Sequence, residues 1–158
     1  VAQTGTGDSF KVVSDNKKAR FNYHLEEFFE AGIVLTGGEI KSIREGKVSL
    51  QESYIIPSKG ELFLINAHIN PYRFDTNSKE EPTRKRKLLM HKREIEKLTG
   101  RVEAKGYTIV PVRLYLKKGR AKLEIALAKG KDRGDKRETI KGREAQREAE
   151  RALKRSKQ

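Results

Sequence analysis

Apolar and polar positions alternate most regularly between Val110 and Ala128. Val110, Val112, Leu114 and Leu116 alternate with Pro111, Arg113, Tyr115 and Lys117. Beyond a turn at Lys117–Arg120, Ala121, Leu123, Ile125 and Leu127 alternate with Lys122, Glu124, Ala126 and Ala128. Period two over two adjoining runs predicts a β-hairpin with one buried face, and Gly119 supplies the positive φ its turn needs. Upstream, Phe21, Leu25, Phe28 and Phe29 fall at i, i+4, i+7 and i+8, which predicts a short helix over Tyr23–Glu30. A strand starts at Ile33–Leu35 and breaks at Gly37-Gly38. A short helix follows over Glu39–Arg44, with Ile40 and Ile43 inward. Val48–Ile56 reads as a strand with Val48, Leu50, Tyr54 and Ile56 in phase. After the turn Pro57–Gly60, Glu61–Ile69 supplies one or two more strands. Tyr72–Arg86 reads as a polar loop, and His91–Leu98 as a helix with Ile95 and Leu98 on its core face.

About six short strands and three short helices predict a mainly β fold, a small closed antiparallel barrel, since closure removes exposed strand edges. The barrel is expected over residues 15–130. Residues 1–14, with Gly5 and Gly7, are expected to be flexible. From Lys131 onward aromatic residues vanish and charge dominates. That segment, 131–158, is expected to be disordered alone. Ala145, Ala149, Ala152 and Leu153 nevertheless share helical spacing, which predicts a latent helix that forms on a partner.

Composition narrows the partner. The formal net charge is +14 over 158 residues, and 37% of the chain is charged. Such an excess repels itself in a compact fold and suits a polyanion. No apolar run approaches the roughly 20 residues of a membrane span, no segment reads as a secretory leader, and no basic face stands opposite a Trp, Phe and Leu face. A membrane partner is therefore not expected. With no cysteine, disulfides and thiolate metal sites are excluded, which fits the cytoplasm.

Catalytic patterns are missing. His24, His68 and His91 lack metal-ligand spacing. Gly130–Gly134 lacks the Lys-Ser/Thr of a phosphate loop. No nucleophile has a base beside it. Neither metal, cofactor nor catalysis is expected.

Three cationic clusters remain. The first is Asn16-Lys17-Lys18-Ala19-Arg20. The second lies in Thr83–Ile95, which holds six Lys/Arg (84, 85, 86, 87, 92, 93) around the apolar triple Leu88, Leu89 and Met90. The third comprises Lys117, Lys118, Arg120, Lys122, Lys129 and Lys131. Charges fixed to a packed segment meet a rigid polyanion already positioned, and phosphate contacts dominate nucleic-acid affinity. Arg84, Arg86, Lys87 and Lys92 are candidate RNA ligands on this ground, as are Lys18 and Arg20. Tyr115 alternates outward with Arg113 and Lys117 and is the candidate for base stacking. Glu30 is an acid beside cations that can accept hydrogen bonds from RNA. Glu39 fits a helix N-terminus. On these residues alone, a ribosomal or general structured-RNA-binding barrel explains the chain equally well.

The chain resembles the tmRNA-binding SmpB (small protein B) family. The resemblance rests on N-K-K-A-R at 16–20, E-A-G-I at 30–33, G-G-E-I-K-S-I-R at 37–44, G-K-V-S at 46–49, P-T-R-K-R-K-L-L-M at 82–90, H-K-R-E-I at 91–95, G-Y-T-I-V-P at 106–111, A-K-G-K at 128–131 and D-K-R at 135–137. It implies a barrel of the oligonucleotide-binding type with three helices, in agreement with the pattern, and a role in trans-translation. Such a protein binds the tRNA-like domain of tmRNA and, with elongation factor Tu, brings it to stalled ribosomes as a monomeric adaptor. Its tail enters the decoding centre and the empty mRNA channel, where it folds into a helix. The resemblance implies RNA contacts at Asn16, Arg20, Glu30, Lys87, Leu89, Lys122, Lys129 and Lys131, and a decoding-centre role for Asp135, Lys136 and Arg137. Many members have a histidine before Asp-Lys-Arg; here it is Gly134.

Overall fold

The computed structural model describes residues 10–74, 81–131 and 147. In chain order the elements are β1 (Phe10–Asp15), α1 (Lys17–Asn22), β2 (Tyr23–Ile33), α2 (Gly37–Arg44), β3 (Val48–Ser49), β4 (Tyr54–Ser58), β5 (Glu61–Ile65), β6 (His68–Ile69), β7 (Arg86–Leu89), α3 (Lys92–Lys105), β8 (Thr108–Lys117) and β9 (Arg120–Gly130). Seven strands form one sheet in the order β1-β8-β4-β5-β7-β2-β9, and β8 also pairs with β9. The short β3 and β6 form a separate pair. All pairings are antiparallel.

The expected hairpin is β8–β9. Lys118 and Gly119 both have positive φ, 51° and 79°, the turn that matches strand twist in two-residue hairpins. Its alternation is not uniform. The register shifts between Pro111 and Arg113, so Ile109, Val110, Pro111 and Val112 are all buried and the faces re-phase beyond them.

Tyr23–Glu30 is strand, not helix: it lies within β2, paired along its length with β9. A bulge between Leu25 and Glu27 shifts the phase by one residue, which makes the apolar spacing imitate a helix. The helix lies just upstream, where Asn16 caps α1 by accepting from the Ala19 N–H. The N-terminal segment is ordered earlier than expected, since β1 pairs with β8 from Phe10 onward. Of the strand expected at Ile33–Leu35 only Ile33 is strand, as the last residue of β2. Gly37-Gly38 opens α2, behind a Thr36–Glu39 capping box that satisfies exposed amides at the helix start.

The run Val48–Ile56 divides into β3 and β4. Leu50 and Ile55 are buried, while Tyr54 and Ile56 face out, so the phase that joins Leu50 to Tyr54 and Ile56 breaks between the two strands. The expected loop Tyr72–Arg86 ends in β7; residues 75–80 lie outside the described set. The last helix continues through Gly100 to Lys105 and stops at Gly106, φ 68°. Residues 1–9, expected to be flexible, and the tail, with Asp135, Lys136, Arg137 and most of the expected latent helix, also lie outside it. Lys131 is inside, its N–H bonded to the Asn22 carbonyl at 2.8 Å.

One main core fills the inner side of the sheet. Leu62, Leu64, Leu88, Ile109, Leu114, Leu123, Ile125 and Leu127 meet Ile43 of α2 and Ile95 and Leu98 of α3. Burying each such side chain is worth about 1.5–3 kcal/mol. A smaller cluster of Ala19, Val110 and Ala128, with Tyr23 and Leu25 against it, seats α1.

Candidate nucleic-acid interface

Directly opposed residues of paired strands project to the same side. Leu89 opposes Gly32, Gly32 opposes Lys122, Lys122 opposes Tyr115, and Tyr115 opposes Val12. These five residues form a row across β7, β2, β9, β8 and β1 on the outer face. Two residues along lies a parallel row of Glu30, Glu124 and Arg113. Lys87 shares the side of Leu89, and Lys117 that of Tyr115. Phe28, two positions before Glu30, carries the same face onward and is exposed, as are Phe10 and Leu89. Gly32 matters here because a Cβ would stand 3.3 Å from the Leu89 Cβ; the strands approach closely and leave Leu89 standing clear.

Period two divides the cationic run in β7. Leu88 is 0% exposed, Leu89 52%. The apolar triple is thus one core residue, one surface residue and the half-buried Met90. Arg86 shares the side of Leu88 and is 0% exposed, so it is not a surface cation. The Glu39 carboxylate accepts from Arg86 Nε at 2.8 Å and from Arg84 at 2.6 and 3.1 Å. Arg86 also donates to the Ala67 and Pro82 carbonyls at 2.8 and 2.9 Å. Burial works to raise the pKa of Glu39, but hydrogen bonds from Arg84, the Thr36 N–H and Arg86 outweigh it and hold the carboxyl below its usual range. Glu39 is therefore more than a helix-start acid. It ties α2 to the approach of β7 and fixes where Lys87 and Leu89 stand. The signal was present, since Arg86 alternates in phase with Leu88.

Tyr115 also departs from expectation. It is 5% exposed, because β1 lays Phe10 over it, ring centroids 4.8 Å apart. Its hydroxyl donates to Glu30. Burial first, and that carboxylate second, raise the phenol pKa above its ordinary value. A ring so covered is not a stacking platform. Glu30 holds a second partner, Lys117 Nζ, at 3.7 Å.

The remaining candidates sort by what they touch. Lys87 sits 3.6 Å from Glu61, and Lys85 lies over the Phe63 ring at 4.2 Å. Lys122 has no ion pair among the described residues. Lys92 is exposed at the start of α3. In the first cluster Asn16 is buried, its amide donating to the Pro111 carbonyl at 2.8 Å, so it builds the scaffold. Lys18 pairs with Glu52 and Arg20 with Asp15 at 2.6 Å. Lys18, Tyr23, Tyr54 and Tyr107 help line an open cleft of about 530 Å³ beside α1. Lys129 lies over the Tyr107 ring at 4.6 Å and opposes His24 across the β2–β9 pairing. Thus Lys87, Leu89, Glu30 and Lys122 come together on one face. Lys18, Arg20, Lys129 and Lys131 gather around α1 and the end of β9. Among the described residues no cluster of His, Asp or Glu could hold a metal ion, and no helix is long and apolar enough to cross a membrane.

Fold and surface together define a class: a basic, mainly β protein whose sheet carries positioned cations and an exposed leucine on one face. The model of the family described as SmpB protein matches residues 13–155. The chain belongs to the SmpB protein family. The SsrA-binding protein of Shouchella clausii (strain KSM-K16) is 56% identical over 144 residues, 91% of this chain and 92% of that one. The SsrA-binding protein of Geobacillus thermodenitrificans (strain NG80-2) is 54% identical over 143 residues, 90% and 92% of the two chains. A solved structure described as "tmRNA-SmpB: a journey to the center of the bacterial ribosome" superposes with a TM-score of 0.64 at 44% identity, covering 80% of this chain and 92% of that one.

Proposed function

We propose that this chain is a tmRNA-binding adaptor of trans-translation. It holds the tRNA-like domain of tmRNA and, in the company of elongation factor Tu, carries it to stalled ribosomes in the cytoplasm for rescue and tagging of the nascent chain. The sheet is a closed barrel of the oligonucleotide-binding type. In support, the pairings run from β8 through β4, β5, β7, β2 and β9 and return to β8. The observation that carries the reading is the outer face: Leu89, Lys87, Lys122 and Glu30 stand on neighbouring strands of one rigid sheet. The lysines neutralise phosphates, Leu89 packs on a sugar or base, and Glu30 accepts hydrogen bonds from 2′-hydroxyls or base amines. Lys18, Arg20, Lys92, Lys129 and Lys131 extend the contact, and the segment with Asp135, Lys136 and Arg137 reads the vacant decoding centre. The protein performs no covalent chemistry.

The test is discrimination. At about 0.15 M salt, the tRNA-like domain should bind far more tightly than an unrelated hairpin RNA of equal length. Equal affinities would make the protein a general structured-RNA binder.

A further inference from the structure

A second basic, aromatic surface lies away from the seven-stranded sheet. It is built where the segment after β6 runs back along the end of α2. The Asn70 N–H donates to the Lys47 carbonyl at 3.0 Å. Arg73 pairs with Glu45 at 3.2 Å, and Lys41 Nζ lies 5.3 Å from the Tyr72 ring centroid. These three contacts fix the path of the segment. Phe74 then packs edge-on against Tyr72 at 5.5 Å, with the Arg73 guanidinium 4.6 Å from its centroid. The ring is nonetheless 68% exposed. Lys41, Arg44 and Lys47, on and just beyond the end of α2, are exposed, and Glu45 is already engaged by Arg73.

A lone exposed apolar side chain is ordinary. An exposed ring on a pinned segment, with Arg73 and Lys41 on the ring pair and two more exposed cations at the end of the adjoining helix, is the arrangement that takes an unstacked base with its flanking phosphates. We infer that Tyr72–Phe74 and the end of α2 form a second RNA-docking surface, whose occupant is a single-stranded loop of an RNA other than the one on the sheet face. The inference rests on the adaptor reading, under which that loop belongs to ribosomal RNA. None of the six residues lies on a strand of the outer face, so both RNAs fit at once and the protein bridges them.

The experiment uses the full chain saturated with unlabelled tRNA-like domain, titrated with a short fluorescently labelled single-stranded RNA. The saturated complex should still bind the single strand. Phe74→Ala and Lys41→Ala should each weaken that binding, Phe74→Ala by roughly five- to a hundredfold, the scale of one stacked base. Affinity for the tRNA-like domain and the unfolding temperature should not move, since both side chains are exposed. Unchanged single-strand affinity in both variants overturns the inference. So does displacement of the single strand by the tRNA-like domain, an equal loss of affinity for both RNAs, or Phe74-dependent binding of an acidic peptide in place of RNA. If the wild-type chain fails to prefer the tRNA-like domain, the adaptor reading falls; the Phe74 dependence of single-strand binding to the free protein still decides the second surface.

Discussion

Tyr115 on β8 donates its hydroxyl to Glu30 on β2, reaching across the intervening β9. An aromatic that alternation assigns to the RNA is instead a strut that holds an acid in place. Tyr115→Phe should keep the Phe10 contact and lose only the hydrogen bond. A bond to a charged group is worth about 1.5–3 kcal/mol, so the denaturant midpoint should fall accordingly. RNA affinity should drop less than in Glu30→Ala. A variant with unchanged stability but abolished RNA binding would return Tyr115 to the role of stacking platform.

Leu88 and Leu89 are adjacent and do opposite things. Leu88→Ala should cost about 2–5 kcal/mol of stability, as for other buried leucines. Leu89→Ala should stay within about 0.5 kcal/mol and lose affinity for the tRNA-like domain. Parallel melts and binding titrations decide it, and a stable Leu88→Ala protein would contradict the strand phase.

Charge contacts show in salt dependence. Lys122→Ala should lower the slope of log affinity against log salt by roughly 0.7–0.9, one phosphate's worth. Lys87→Ala should do the same, less whatever Glu61 retains in the complex. Arg86→Ala, by contrast, should destabilise the fold, and a thermal melt alongside the salt titration separates the two effects.

Glu39 predicts an acid limb. Its folded pKa is lowered, so on acidification the unfolded chain takes up the proton first. Its contribution is full above the ordinary carboxylate pKa of about 4.3 and is lost as pH falls through the lower folded value. Glu39→Gln should leave Arg86 buried and uncompensated, costing about 3–5 kcal/mol near neutrality. The variant should also show a shallower loss of stability between neutral and acid pH. An unaltered acid limb would mean that another carboxylate dominates it.

Truncation after Lys131 should spare binding of the tRNA-like domain and abolish tagging on stalled ribosomes. The cut leaves the Lys131–Asn22 bond in place, so loss of both activities would refute a division between sheet and tail.

The hairpin was legible because its alternation is long, although the bulge at Pro111–Arg113 moved its phase. β2 was not legible, because the Leu25–Glu27 bulge gives its phenylalanines helical spacing. Thr36 and Glu39 spelled out a capping box in plain sequence, whereas the burial of Glu39 depends on Arg84 and Arg86, more than forty residues away. Of the site, the lysines and Leu89 were legible from motif and composition. The covering of Tyr115 was not, since it requires β1, most of which falls in the segment 1–14 whose glycines and lack of periodicity suggest flexible chain. The aromatic surface at Phe74 carries no periodic signal at all.

The bond from the Lys131 N–H to the Asn22 carbonyl has a consequence for reach. It staples the exit of β9 to the end of α1, so residues 132–158 follow from a fixed origin on the body. At full extension that stretch spans at most about 97 Å, at roughly 3.6 Å per residue. Anything that Gln158 touches must lie inside a sphere of that radius centred on one known amide, and the orientation of the body on its RNA decides where that sphere is.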